Sequence, residues 1–193
     1  EPFMVVDLQC YEGRNLDTVT QAVTLAPHGD AICRDYAAYT AATAVVETCD
    51  RLTEEALPAT QQYLLVAGAM AALAAREHDP GLVLDAYLLR ALSVAGWAPS
   101  FGDCAKCGAP GPHRAFNIAA GGAVCLVCRP PGSAAPSPET VALLVALLTG
   151  DWAQADASQP VHQREGSGLV AAFLQWHLER GVRSLPHVER APW

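Results

Sequence analysis

Lysine is nearly absent from this sequence of 193 residues, and positive charge is scarce overall. Lys106 is the single lysine among twelve basic residues, and twenty acidic residues bring the formal net charge to −8. Binding to the phosphates of a nucleic acid depends on Lys and Arg side chains. The composition by itself therefore disfavours a nucleic-acid-binding protein.

The sequence also has no long hydrophobic run. The longest uncharged stretch is residues 56–75, and its apolar part begins only at Tyr63, which makes it too short to cross a bilayer. The first residues are acidic where a signal peptide would be basic, and no cleavage-like site follows. We expect a cytosolic protein with no membrane-spanning segment. Thiols stay reduced in the cytosol, so an odd count of seven cysteines favours metal binding over disulfides.

Common catalytic motifs are missing as well. Gly166–Ser167–Gly168 does not have the spacing of a hydrolase nucleophile elbow, and no phosphate-binding loop or acid/base pair stands out. These absences disfavour the common hydrolase and nucleotide-binding classes.

The apolar pattern predicts a strand hairpin followed by helices. Residues 3–11 and 16–25 alternate around a turn at Gly13–Asn15. Helical spacing then predicts the following helices: residues 30–55, 58–76 with Pro58 at its first position, 80–95 after an Asp79–Pro80 cap, one after a Ser137–Pro138 cap that stops at Gly150, a short one at 151–157, and 167–184. The helix at 80–95 is apolar almost all round, so we expect it to be central. The fold class is α+β and mainly α.

Four cysteines carry the strongest chemical signal. Cys104, Cys107, Cys125 and Cys128 form the pattern C-x2-C-x17-C-x2-C, which is typical of a four-thiolate Zn²⁺ site. Such a closed shell makes the zinc structural. Two alternatives stay open: His113 replacing one cysteine, and two free or redox dithiols. The deaminase pattern H-x-E before a Cys pair is absent.

The other cysteines and the tryptophans have simpler interpretations. Cys10, Cys33 and Cys49 are expected to be small buried residues, and Trp97, Trp152 and Trp176 are expected to belong to the core.

Positive charge is concentrated around the four cysteines. Residues 104–132 contain Lys106, Arg114 and Arg129 and no acid, whereas every other part of the chain is net negative. These three cations are candidates for contact with DNA. Alternatively they partly balance the thiolates, because Zn²⁺ with four thiolates carries a formal charge of about −2.

Several segments together resemble the RecO family of DNA-repair proteins: GRNLDTVTQA, YAAYTAATAVVETCDRL, VLDAYLLRALSVAGWAPSFGDCAKCG and GGAVCLVC. The resemblance extends over nearly all of the chain and is most specific at AGWAP…CAKC. It implies part of an OB fold at 1–28, a helical domain at 29–103 and 130–193, and an inserted four-cysteine zinc finger at 104–129. It also implies that a family member has further barrel strands before this sequence, so we expect the chain to bind DNA weakly.

The function implied by the resemblance is that of a recombination mediator without catalytic residues. Members bind and anneal single-stranded DNA, contact RecR and the acidic C-terminal tail of SSB, and assist RecA loading at gaps in the RecFOR pathway of the bacterial cytosol and nucleoid. Arg14 matches a barrel turn that faces DNA. An apolar groove near an arginine would suit the SSB tail, with these candidates: Arg90, Arg180 and Arg183.

Two other classes of function remain as alternatives. One is a helical protein-interaction module with a structural zinc clip and no role with DNA. The other is a zinc or dithiol enzyme, which would need an open ligand position or a reactive cysteine.

Overall fold

The computed structural model describes residues 2–178 and 181–188 of the chain. It contains two small antiparallel hairpins and a mainly helical body. The elements are β1 Met4–Tyr11, β2 Thr18–Pro27, α1 Gly29–Cys33, α2 Tyr36–Leu52, α3 Thr60–Ala75, α4 Pro80–Val94, β3 Ala115–Asn117, β4 Gly122–Val124, α5 Pro138–Thr149, α6 Trp152–Asp156, α7 Pro160–His177 and a 3₁₀ turn Leu185–His187. Within the described residues, no helix combines the length and hydropathy needed to cross a membrane.

Helix α4 is the centre of the body, as its apolar sequence predicts. Ten of its fifteen residues are buried, and it packs against α2, α3, α5 and α7. The side chain of Asp79 accepts hydrogen bonds from the backbone N–H groups of Gly81 and Leu82 and so caps the helix, with Pro80 at its first position. Buried Asp85 of α4 accepts a hydrogen bond from Ser167 of α7, which ties the two helices together.

The predicted helix at 30–55 is in fact two helices. Asp35 has an extended backbone (φ −126°, ψ 117°), and its side chain accepts a hydrogen bond of 3.1 Å from the N–H of Ala38. This cap starts α2 and ends α1, so the apolar spacing on either side belongs to separate helices. Pro58 likewise lies before α3, which begins at Thr60.

The prediction for the last helix is displaced by about two turns. Helix α7 runs from Pro160 to His177 and not from 167 to 184. Gly166 and Gly168, which discourage a helix by propensity, lie inside it. Gly166 lies at a close helix contact, where a Cβ would lie 3.3 Å from a methyl group of Leu144 on α5 and that side chain would have to shift by a few tenths of an ångström. The prediction that Trp97 and Trp176 belong to the core is also wrong, since they are 38% and 61% exposed.

The hairpin β1–β2 has little shelter from solvent. Its strands pair in antiparallel register with irregularities at Val5/Val6 and Gln9/Cys10. At its base, the ring of Phe3 packs edge-on against Tyr39 of α2 with 5.6 Å between centroids. The following large apolar side chains of the hairpin and its turn are exposed: Val6, Leu8, Tyr11, Leu16, Val19, Val23 and Leu25.

Candidate metal centre

The first cysteine pair lies in a tight loop after α4. The N–H of Gly108 donates to the carbonyl of Cys104, and the N–H of Cys104 donates to the carbonyl of Ala109, each over 2.8 Å. Gly108 has a φ of +70°, which glycine adopts without steric cost. The second pair, Cys125 and Cys128, directly follows β4.

One backbone bond joins the two loops. The N–H of Ala105 donates to the carbonyl of Ala123 in β4 over 2.8 Å. The short hairpin β3–β4 therefore brings the second cysteine pair back to the first. We call residues 104–129 the cysteine knuckle.

The four sulfur atoms converge on one point. All four Sγ atoms lie within 4.8 Å of one another, and those of Cys107 and Cys125 are 3.9 Å apart. A tetrahedral zinc site with Zn–S bonds of about 2.3 Å places its sulfurs about 3.8 Å apart. The donor set and its dimensions therefore fit Zn²⁺. His113 is turned to a different contact, since its Nε2 lies 2.9 Å from the carbonyl of Ala109.

The electrostatics of the cluster favour a thiolate at Cys104. Hydrogen bonds from the backbone N–H groups of Cys125, Cys107 and Lys106 lower the pKa of the Cys104 thiol to about 6, against a smaller opposing effect of burial. The pKa of Cys128 is raised, first by its hydrogen bonds with the thiols of Cys107 and Cys125. A cation that binds four thiolates replaces these shared protons.

The knuckle is attached to the helical core through β3. Phe116 is buried, and its ring lies 5.7 Å from that of Phe101 and 6.4 Å from that of Phe173 on α7. Backbone bonds between Phe116 and Ala134 (2.9 and 2.8 Å) hold the strand from its other side. The knuckle thus supplies Phe116 to the main core, with partly buried Ile118 packed against it.

The comparisons with known proteins agree with this architecture. The family model described as Recombination protein O C terminal matches residues 33–186. The chain belongs to the RecO family. Curated proteins named DNA repair protein RecO resemble it over nearly its whole length. The one from Streptomyces coelicolor is 58% identical over 197 residues, which cover 98% of this chain and 79% of that relative. That from Thermobifida fusca is 56% identical, with 99% of this chain and 79% of the relative covered.

The predicted DNA contacts of this RecO-family chain fall into two groups. Lys106, Arg114 and Arg129 are exposed on or beside the knuckle, and Arg14 is exposed in the turn of the first hairpin. In the part of the chain that the structure describes, none of the three knuckle cations forms an ion pair. Three other arginines do pair with acids: Arg34, Arg51 and Arg76.

The three arginines predicted for the SSB tail lie in different surroundings. Arg90 is partly buried and donates from Nε and Nη2 to the carbonyl of Leu147, over 3.0 and 2.7 Å. Its guanidinium also lies 5.8 Å from the ring centroid of Trp152. Arg90 therefore satisfies the C-terminal turn of α5. Arg183 is exposed, and Arg180 lies outside the described residues.

An apolar groove near an arginine is expected without a location, and the structure has an apolar cavity beside Arg183. It encloses about 480 Å³ between α7 and the segment after it, with Leu174, Val182, Leu185 and Val188 among its lining residues. The segment is held to α2 by Glu47, whose carboxylate accepts hydrogen bonds from the N–H groups of Arg183 and Ser184 and from the Ser184 hydroxyl. The bonded residues are separated by 136 and 137 positions in the sequence, so no local sequence pattern predicts these bonds.

The remaining cysteines depart from expectation. Cys10 and Cys33, expected to be buried, are exposed, and Cys49 is partly buried. Cys10 is on the sparsely covered hairpin and Cys33 ends the short helix α1, so neither position faces the core. Burial raises the pKa of the Cys49 thiol.

Proposed function

We propose that this chain acts as a non-catalytic recombination mediator in DNA repair. The observation that carries the proposal is the family match over residues 33–186, supported by relatives named DNA repair protein RecO at up to 58% identity. The partners of such a role are DNA and other recombination proteins, in the bacterial cytoplasm. The knuckle holds one structural Zn²⁺ through its four cysteines.

We propose that single-stranded DNA is bound and annealed with the help of the exposed cations. Arg14, Lys106, Arg114 and Arg129 are all exposed and can meet phosphates. The hairpin β1–β2 is proposed to belong to an OB fold. Its exposed apolar side chains support this, because an isolated two-stranded hairpin is marginally stable and these side chains would be covered by further strands.

The cavity after α7 is the proposed docking place for the acidic, aromatic-ended tail of SSB. It is lined mainly by apolar side chains that suit an aromatic ring, and Arg183 adjoins its lining residue Val182. The proposed contact with RecR, and through it the assistance to RecA, rests on family membership alone.

One polar cluster resembles a hydrolytic site but is better explained as a helix cap. Ser137 Oγ lies 3.1 Å from His162 Nδ1 and 3.0 Å from Glu165 Oε2. In a catalytic triad the imidazole lies between the hydroxyl and the carboxylate. Here Glu165 instead accepts directly from the Ser137 hydroxyl, from its N–H and from the Thr140 hydroxyl at the start of α5. This geometry supports a non-catalytic role.

The test combines three measurements on one purified sample of the chain: metal content, affinity for single-stranded DNA, and affinity for a peptide with the sequence of the SSB tail. We expect one zinc per chain, measurable binding of both, and tail affinity reduced about tenfold in Arg183→Gln through removal of a charged partner. The control variant Arg34→Gln removes an exposed arginine far from the cavity in sequence. Zinc with neither interaction would leave only the helical interaction module and would contradict the proposal.

A further inference from the structure

The second cysteine loop presents two apolar side chains directly to solvent. Leu126 and Val127 lie between the metal-ligand candidates Cys125 and Cys128, and they are 91% and 94% exposed. Among the described residues these are the highest exposures of any large apolar side chain. Such exposure is costly in water unless a partner covers it. We call Leu126 and Val127 the knuckle tip.

Cations flank the knuckle tip. Because the sulfurs of Cys107 and Cys125 are 3.9 Å apart, the loop that carries Lys106 lies beside the loop that carries the tip. Arg129 follows the last cysteine directly. Both cations are exposed, and neither forms an ion pair within the described chain. The two loops that meet at the tip therefore each carry an exposed cation close to it in sequence.

The distribution of charge along the chain limits which class of partner can bind at the knuckle tip. Residues 104–132 contain three cations and no acid, in a chain of net charge −8. A polyanion is repelled by the acidic parts of the chain and is attracted only where the positive charge is concentrated. With Zn²⁺ bound, the metal and its four thiolates together carry about −2, so residues 104–132 keep a net charge of about +1 and remain the part of the chain most favourable to a polyanion.

We propose that the knuckle tip binds single-stranded DNA, with Leu126 and Val127 against base faces and with Lys106 and Arg129 on the neighbouring phosphates. This inference rests on the DNA-binding function proposed above and adds the residues that contact the bases. Wedging into a duplex requires a base step to be unstacked, at a cost of a few kcal/mol. A single strand offers base faces that are already accessible. Two aliphatic side chains and two cations can contact such accessible bases and phosphates without unstacking a duplex.

The experiment separates the apolar contribution from the ionic one through salt dependence. Binding of the zinc-loaded chain to a fluorescent oligo-dT of about 20 nucleotides is measured across a salt series. In Leu126→Ser/Val127→Ser we expect affinity to fall about five- to tenfold, because less apolar surface is buried on binding, with the slope of log K against log salt unchanged. In Lys106→Gln/Arg129→Gln we expect that slope to become shallower by about 0.7 for each phosphate that is no longer neutralised.

The matched control is Leu57→Ser, which removes an apolar side chain that is 61% exposed in the loop before α3. We expect it to bind like the parent chain. Zinc content measured on every variant verifies that the knuckle is intact, and both tip residues lie outside the core, so their removal leaves the fold in place.

The outcomes separate the tip from the wider function. If the parent chain binds oligo-dT and the Leu126/Val127 variant binds equally well, the tip inference is overturned and the proposed function stands. An equal loss of affinity for duplex DNA would overturn the assignment to single strands. A parent chain that binds no DNA at low salt would overturn both proposals. A loss confined to binding of a protein partner, with DNA affinity intact, would also overturn the inference.

Discussion

Glu47 shows how one residue can determine the position of a whole segment. Its carboxylate accepts three hydrogen bonds from the segment after α7, from the N–H groups of Arg183 and Ser184 (2.8 Å each) and the Ser184 hydroxyl (2.6 Å). In Glu47→Gln, an amide N–H₂ group replaces one carboxylate oxygen and faces the hydrogen-bond donors of Arg183 or Ser184, which lose an acceptor. We expect the free energy of unfolding to fall by about 1–3 kcal/mol and tail-peptide binding at the adjacent cavity to weaken. Urea denaturation and peptide titration measure the two effects.

The pH dependence of this effect follows from the pKa of Glu47. Burial raises that pKa, but hydrogen bonds from the Ser184 hydroxyl and from the N–H groups of Arg183 and Ser184, together with Arg51, lower it below the ordinary value of 4.5. The stabilisation is therefore complete above about pH 4.5 and is lost as pH falls through the lowered folded-state pKa. The difference between the parent chain and Glu47→Gln should shrink in acid. Asp50→Asn, an exposed neighbour on α2, is the control. Equal losses in both variants would contradict the anchoring role.

At the scale of elements, strand β4 is held against the segment after α4 by a close backbone approach that only glycine permits. Gly122 has a φ of +145°, and a Cβ there would lie 2.2 Å from the carbonyl oxygen of Ser100. Gly121 also has a positive φ (+85°), but its Cβ would meet nothing within 4 Å. We expect Gly121→Ala to cost about 1 kcal/mol of unfolding free energy from backbone strain alone, and Gly122→Ala about 3 kcal/mol or more.

Gly121→Ala serves as the control for Gly122→Ala, because both glycines have a positive φ and only Gly122 lies against another backbone segment. Each is measured by urea unfolding with zinc content determined on the same sample. Equal costs would mean that the close approach of Ser100 is dispensable and that conformation alone requires the glycines.

The same scale explains which elements the sequence predicts well. Asp79–Pro80 and Ser137–Pro138 each combine a capping side chain with a proline at the first helical position, and the structure confirms both helix starts. The break at Asp35 escapes prediction because apolar spacing continues across it. The start of α7 escapes prediction because glycines lower helix propensity, whereas Gly166 lies inside the helix at a close contact with Leu144.

The candidate site is likewise predictable where it depends on local sequence and unpredictable where it depends on contacts between distant residues. The convergence of the four cysteines follows from local spacing, and the structure brings their sulfurs within 4.8 Å. The cavity after α7 depends on Glu47 meeting Ser184, across 137 positions that no local pattern connects. The exposure of Trp176 and of Leu126 likewise depends on which faces the folded body leaves uncovered.

At the scale of the whole molecule, the knuckle is an integral part of the core. Phe116 of β3 is buried between Phe101 and Phe173, and it belongs to the same buried cluster as Leu88 and Leu92 of the central helix α4. The helices themselves lie outside the knuckle, and their packing around α4 does not pass through it. We therefore expect metal binding at the four cysteines to stabilise the body mainly through Phe116, without determining its helices.

Removal of the metal tests this coupling. If folding of the knuckle depends on zinc, removal of the metal displaces Phe116, and loss of a large buried aromatic side chain costs about 3–5 kcal/mol. In a chain of this size, that cost lowers Tm by roughly 10 °C. A strong chelator should thus lower Tm by this amount while most of the helical circular dichroism remains at room temperature. Phe116→Ala should lower Tm in the presence of zinc and make the remaining Tm nearly insensitive to chelator. A chelated parent chain with unchanged Tm would show that the knuckle is energetically separate from the body, and complete loss of helicity would show that the helices themselves depend on the metal.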